Sequence, residues 1–230
     1  MEKIIFDLDN TLLMYDDDYL NDYNIVIEKY GYDLKPKELY KSIGKYESLK
    51  VKYQKNDLID FVNKDLNINI TTDIFEELLD IIGNWVPPLE KGLIDTLEYL
   101  SSKYELYVLT NWFSKCYTKR LEKAGILKYF KEVVGADKVA PKPKPEGFLY
   151  IAGDTDLKEC LMIGDRIDID VEGAINLGMN AILFDYNDKY HGTSKKIMKL
   201  SKLKEMTNYN KSSHFLQKSK KDFCSTSKRF

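Results

Sequence analysis

Five short runs along the chain are apolar almost without interruption: KIIFDL (3–8), ELYVLT (105–110), EVVGA (132–136), CLMIGD (160–165) and NAILFD (180–185). Runs of this length, rich in Ile, Leu and Val, predict strands buried on both faces. Between the later runs the apolar positions recur at helical spacing. KGLIDTLEYLSSK (91–103) puts Leu93, Ile94, Leu97 and Leu100 on one face. SKCYTKRLEKAG (114–125) and DVEGAINLG (170–178) each end on a glycine suited to close a helix. Strands alternating with helices predict an α/β fold, a parallel sheet covered on both sides in three Rossmann-like layers.

Residues 15–88 break that rhythm. They hold no strand pattern, and four segments read as helices: 19–31, 37–53, 57–66 and 72–86. Asp73 and Glu76 have the look of a capping pair at the start of the fourth. The expected organisation is an α/β core formed by 1–14 and 89–206, with an α-helical insert over 15–88. After Asp185 the pattern weakens. SKKIMKLSKLKEM (194–206) predicts one short helix carrying Ile197, Leu200 and Leu203 on one side. From 207 to 230 Lys, Ser and Asn with scattered aromatics predict a basic, loose extension.

Composition narrows the picture in three ways. At 230 residues, 43% hydrophobic and 31% charged, the chain suits one domain with a modest insert. It has no unbroken apolar stretch near the roughly 18 residues of a membrane helix, and it opens directly on strand-like sequence without a secretory pattern. Cys116, Cys160 and Cys224 are odd in number and far apart, which reads as reduced structural thiols in a cytoplasmic protein. The net charge of −2 hides an asymmetry. From Lys189 onward there are 12 Lys/Arg against 2 acids, leaving 23 against 35 in the body. Nucleic acid is thus a poor partner for the body, whereas the tail suits contact with an anionic surface.

In an open parallel sheet, ligands bind outside the carboxyl ends of the strands. Those ends carry unusual groups here: Asp7 and Asp9 after the first strand, Thr110 and Asn111 after the second. Lys142 and Lys144 stand in PKPKPEGF after the third, and Asp165, Asp168 and Asp170 follow the fourth. Gathered carboxylates repel unless a cation neutralises them, and hard oxygen ligands favour Mg²⁺. Lysine, hydroxyl and amide groups beside them can hold a phosphate. The set points to phosphoryl chemistry with an Asp as covalent nucleophile.

These residues also carry a resemblance. DLDNT (7–11), VLTNW (108–112), KPKPEGF (142–148) and GDRIDID (164–170) stand in order, roughly 100, 30 and 20 residues apart. Their pattern resembles the four motifs of the haloacid dehalogenase superfamily, in its phosphatase branch, over residues 1–14 and 90–188. The resemblance implies a sheet order of 5-4-1-2-3 and a helical cap where the insert lies. It implies Asp7 as nucleophile and Asp9 as general acid/base. It further implies Thr110, Asn111 and Lys142 on the phosphate, and Mg²⁺ held by Asp7, the Asp9 carbonyl, Asp165 and Asp170. The activity implied is hydrolysis of a small phosphorylated metabolite. A sugar phosphomutase would use the same residues, and a basic-tailed binding protein is a more distant alternative. A dehalogenase is disfavoured because Asp9 is present. Trp112, after Asn111, departs from the pattern, and with Phe113 it suggests either a partly apolar leaving group or a packed hinge.

Simpler readings stand beside these. Asp9-Asn10 is good turn chemistry, and Thr110-Asn111 could cap the helix from 114. Lys144 reads as a loop charge, Asp168 as a helix start, and Asp16 to Asp18 as a solvated helix start. Tyr15, Tyr19 and Trp85 lie where the insert joins the core and could touch substrate. His191 and His214 have no evident partner.

Overall fold

The computed structural model describes residues 1–14, 19–191 and 196–209. Tyr15, Asp16 to Asp18, His214, Cys224 and all but the first three residues of the basic tail lie outside the described residues, as does the side chain of Tyr19.

The sheet has six parallel strands: β1 (Lys3–Phe6), β2 (Glu105–Leu109), β3 (Glu132–Val134), β4 (Cys160–Gly164), β5 (Asn180–Phe184) and β6 (Lys196–Ile197). Their order is β3-β2-β1-β4-β5-β6. The expected 5-4-1-2-3 order holds, with β6 added at one edge. Each strand alternates its residues between two apolar layers. Ile4, Phe6, Leu106, Val108, Leu161 and Ile163 belong to one, and Ile5, Leu109, Cys160, Met162 and Leu183 to the other. This two-sided burial is why the strands read as unbroken apolar runs.

Four helices occupy the insert: α1 (Tyr19–Lys29), α2 (Pro36–Ser48), α3 (Lys55–Leu66) and α4 (Thr72–Asn84). The core contributes α5 (Leu93–Ser101), α6 (Ser114–Lys123), α7 (Pro145–Ala152), α8 (Glu172–Leu177) and α9 (Lys202–Tyr209). The first layer buries α5, α6, α9 and the insert, and the second buries α7 and α8.

Several expectations are corrected. The helix expected over 37–53 stops at Ser48, and Lys50 takes a left-handed φ of 54°. Tyr53 is instead drawn to the core: its N–H donates to the Ala136 carbonyl at 2.7 Å, and its buried ring packs edge-on against Trp112 and Phe113. Tertiary contact overrides helical periodicity there. Helix α4 is capped by Thr71, whose hydroxyl accepts from Ile74 N–H, so Asp73 and Glu76 form no capping pair. The helix expected over 194–206 is split into β6 and α9, because Ile197 joins the sheet edge while Leu200 and Leu203 pack into the core. The single helix expected over 170–178 is a wide π-type turn, Ile167–Val171, followed by α8.

The insert packs closely on the core. Helix α4 lies along α6, where Gly83 lets the backbones approach; a Cβ there would come 3.2 Å from the Cys116 carbonyl. Cys116 donates to the Leu79 carbonyl at 3.3 Å, and burial pushes its thiol up to about 12, so it is inert packing. Cys160 is likewise buried and unpaired with any other thiol. Among the described residues no helix is long and apolar enough to cross a membrane.

Candidate active site

The strand order reverses around β1, with β2 on one side and β4 on the other, so a crevice opens at their carboxyl ends. Residues just past the strands stay in register with the sheet. Asp7 N–H donates to the Ile163 carbonyl at 2.8 Å, and Thr110 N–H to the Val134 carbonyl at 2.9 Å. Backbone pairing therefore holds both side chains at the rim. After Asp7 the chain folds into a tight loop in which Leu12 and Leu13 donate to the Leu8 carbonyl and Asn10 has φ 61°. Asn tolerates that left-handed backbone better than most residues. The turn reading of Asp9-Asn10 is thus correct in itself, and it is the device that presents the acids.

Asp7, Asp165 and Asp170 place one oxygen each within 4.8 Å of one another. Lys142 is buried among them, its ammonium 2.5 Å from Asp7 Oδ1 and 2.7 Å from Asp170 Oδ1. Thr11 donates its hydroxyl to Asp7 Oδ2 at 3.2 Å. Burial raises Asp7 well above the ordinary carboxylate range. Lys142 opposes this, and repulsion from Asp170 and Asp165 adds to it. Burial and the Asp170 charge push Asp165 up to about 6. Burial works against the Lys142 ammonium, but the charges of Asp170 and Asp7 outweigh it and hold the group above its ordinary value.

Local geometry explains the glycine of the fourth motif. The π-type turn aims Asp170 back across the end of β4, where Arg166 N–H donates to its Oδ2 at 3.0 Å. A Cβ on Gly164 would overlap the Asp170 carboxylate. Asp168 points elsewhere, pairing with Arg166 at the surface at 2.9 Å.

Asn111 has a different task from a helix cap. Its Oδ1 accepts from Lys142 N–H at 2.7 Å and its Nδ2 donates to the Lys142 carbonyl at 3.1 Å, clamping the lysine loop. The same Nδ2 donates to Glu47 of the insert at 3.0 Å. Helix α6 is capped from outside, by Asp137 accepting from Ser114 N–H at 2.7 Å.

A cavity of about 460 Å³ joins these groups. Asp7, Asp9, Thr110, Asn111, Lys142, Asp165 and Asp170 all line it, so every residue singled out as a site candidate by the four motifs faces one space. Its far side is Tyr23, Tyr40, Lys41, Ile43 and Glu47 of the insert. Trp112 lines it while packing edge-on against Phe113 and Tyr53, and Phe113 packs on Phe75, so the pair packs the core against the insert and Trp112 also forms part of the cavity wall. Trp85 does not line the cavity; its ring lies against Arg120. His191 sits at the surface, 3.9 Å from Asp188, away from the cavity.

Besides the insert's lining residues, sequence reasoning missed Tyr117 and Arg120, and it gave no sign of Glu47's bond to Asn111. Asp9 does not turn its carboxylate to the other acids. Its Oδ1 accepts from Arg120 Nη1 at 2.7 Å and its Oδ2 from the Tyr117 hydroxyl. Arg120 occupies a helix among other charges, and only its complete burial reveals it.

The fold is shared with solved structures. The HAD-hydrolase YfnB of Bacillus subtilis, bound to magnesium, superposes with a TM-score of 0.71 at 20% identity, covering 90% of this chain and 98% of that one. A HAD phosphatase from Thermococcus onnurineus gives 0.66 at 26% identity over the same shares. Among curated proteins, pyrimidine 5′-nucleotidase YjjG of Escherichia coli is 31% identical over 108 residues, 45% of this chain and 48% of that protein. The chain thus spans about half the length of the curated relatives it matches. The sequence profile of the haloacid dehalogenase-like hydrolases matches residues 4–184, from the first strand through the fifth, and with that match the chain belongs to this family.

Proposed function

We propose that the protein is a Mg²⁺-dependent phosphatase that hydrolyses a small phosphomonoester through an aspartyl-phosphate on Asp7. The observation that carries the reading is the convergence of Asp7, Thr110, Lys142, Asp165 and Asp170 on one cavity at the switch point of the sheet. The names of relatives agree with phosphomonoester chemistry: pyrimidine 5′-nucleotidases and N-acylneuraminate-9-phosphatases.

The donor set fits a hard divalent cation. Three carboxylates crowd one ammonium; Asp7 and Asp165 are raised, first by burial and further by repulsion from their neighbours, which Lys142 opposes without cancelling. Asp7, Asp165, Asp170 and the Asp9 carbonyl would hold Mg²⁺, which when bound supplies positive charge to the phosphoryl oxygens.

The chain's own groups do the rest. Asp7 attacks phosphorus in line and the alkoxide leaves. Asp9 protonates that leaving oxygen, then takes a proton from the water that cleaves the aspartyl-phosphate. Thr110 hydroxyl, Asn111 N–H and the Lys142 ammonium hold the phosphoryl oxygens, and the Asn111 clamp fixes the lysine loop. Residues 15–88 act as a cap that excludes water and selects the leaving group. Aromatic walls from Tyr23, Tyr40 and Trp112, with Lys41 and Glu47 as polar points, suit a leaving group with a ring and hydrogen-bonding edges.

The test is turnover of a phosphometabolite panel, followed by reaction in H₂¹⁸O. One labelled oxygen is expected in each released phosphate. A sugar phosphate whose phosphate migrates without release would make the protein a mutase.

A further inference from the structure

We propose that Arg120 is a positioning residue that ties the acid/base Asp9 to the exit of the helical insert. The proposal rests on the phosphatase reading and extends it to a residue outside the four motifs.

Arg120 is completely buried. Burying a guanidinium is costly unless hydrogen bonds and ring contacts offset the lost water, and here Nη1, Nε and the ring contacts do so. Its partners come from three separate stretches of chain. Nη1 donates to Asp9 Oδ1 at 2.7 Å, in the loop that leads into the insert. Nε donates to the Trp85 carbonyl at 3.1 Å, just after α4, where the chain leaves the insert. The guanidinium carbon lies 4.7 Å from the Trp85 ring centre and 5.1 Å from that of Tyr117, one helical turn earlier. Tyr117 completes the arrangement by donating its hydroxyl to the other oxygen of Asp9.

One planar group thus touches the acid and the returning hinge together. An arginine kept only to satisfy a core carboxylate has no need of the hinge. One kept only to pin the hinge has no need of a carboxylate that lines the reaction cavity. Displacing the chain at Trp85 displaces the guanidinium through both its carbonyl bond and its ring contact, and Asp9 with it. Lysine at this position keeps the charge but loses the fork and the flat face, so it cannot hold both ends.

The test uses the full chain as wild type, Arg120→Lys and Arg120→Met, with Mg²⁺ and p-nitrophenyl phosphate. The phenolate leaves without a proton, so attack by Asp7 does not need Asp9, whereas breakdown of the aspartyl-phosphate does. Both variants are expected to release p-nitrophenol in a burst of one equivalent per chain, followed by a steady rate at least about 30-fold below wild type, a substantial part of the roughly 10²- to 10⁴-fold that a general base contributes. A burst that shrinks in step with the rate means lost sites and overturns the proposal, as does a steady rate within about threefold of wild type. Amide hydrogen exchange gives a second readout that needs no turnover. In Arg120→Lys, exchange is expected to rise at least about tenfold both in residues 8–14 and in 85–89, with the strand amides unchanged. If the wild type turns over no phosphomonoester, the parent reading fails and the exchange result alone decides the coupling. Unchanged exchange in either segment overturns it, and if Arg120→Met does not fold, Arg120→Lys carries both tests.

Discussion

Two acidic clusters sit at the carboxyl ends of neighbouring strands, and they are built on opposite principles. After β4, Asp165 joins Asp7 and Asp170 around one ammonium, that of Lys142. After β5, buried Asp185 accepts from Lys189 N–H at 2.8 Å, Tyr190 N–H at 2.9 Å and the Lys196 ammonium at 2.8 Å. The first gathers three carboxylates beside one cation; the second gives the buried carboxylate of Asp185 three donors, one of them the Lys196 ammonium that it shares with Asp188 at the surface. Burial pushes both kinds of acid up. At Asp185 the Lys196 and backbone hydrogen bonds outweigh it and leave the carboxyl below its ordinary value, whereas Asp165 ends at about 6. Burial and charge alone therefore do not mark a reaction centre. An acid whose partners are too few does, because the shortfall is what a substrate or cation fills.

Swapping each acid for its amide separates the two clusters most strongly. Asp7→Asn is expected to lower kcat by at least about 10³, because the amide keeps the shape but is a poor nucleophile. The folded chain without added metal should be no less stable, since one crowded charge is gone. Asp185→Asn should leave kcat/KM within about threefold while lowering Tm by roughly 4–10 °C, the equivalent of about 2–3 kcal/mol of charge-assisted hydrogen bonding. Steady-state kinetics and thermal melts on the two variants decide it; a large activity loss at Asp185 would erase the distinction.

Metal removal tests the same contrast from the solvent side. Chelation is expected to silence turnover and Mg²⁺ to restore it, with Asp165→Ala raising the Mg²⁺ needed for half activity by about 10- to 100-fold. Mg²⁺ should also raise the Tm of the wild type, as any ligand of the folded state does, and raise that of Asp165→Ala less. Equal activity in excess chelator would remove the crowded cluster as a metal site.

How far the amino-acid sequence alone reaches is seen by comparing the same two clusters. The runs CLMIGD and NAILFD each end a buried strand on an Asp, and the strand runs themselves do not separate them; the GDRIDID pattern after the first does. The spacing of Asp165 from Asp7, Thr110 and Lys142 adds to this, since the strand order brings those four together. Asp185 finds its lysine through β6, a two-residue strand inside a stretch whose apolar spacing read as helix. Short edge strands carry too few residues for a period to emerge. Arg120 was hidden for a related reason. It stands in SKCYTKRLEKAG beside other charges, and its burial depends on where Asp9 and Trp85 arrive from remote parts of the chain. Periodicity and motif spacing therefore report what repeats or recurs, while single tertiary partnerships leave no pattern.

The smallest expected effect separates the clusters by the sign of their response to pH. Asp165 titrates near 6 in the folded protein, above the roughly 3.9 of an unfolded aspartate. Between those values the folded state binds more protons than the unfolded one, so stability falls as pH rises through the window. Asp7, also raised, acts in the same direction. Asp185 is lowered, so its contribution is present above the unfolded value and is lost only as pH falls below about 4. In chelated protein, Tm is therefore expected to decline from pH 5 to 7.5. Allowing for the solvent that reaches a half-buried carboxyl, Asp165 accounts for about 1–2 kcal/mol of this, or roughly 3–6 °C. Asp165→Asn should flatten the decline, Asp185→Asn should leave its slope unchanged, and saturating Mg²⁺ should abolish it by giving the ionised carboxylates their missing partner. A chelated wild type that instead grows more stable across that range would mean the three acids are not crowded, and the contrast with Asp185 would fall.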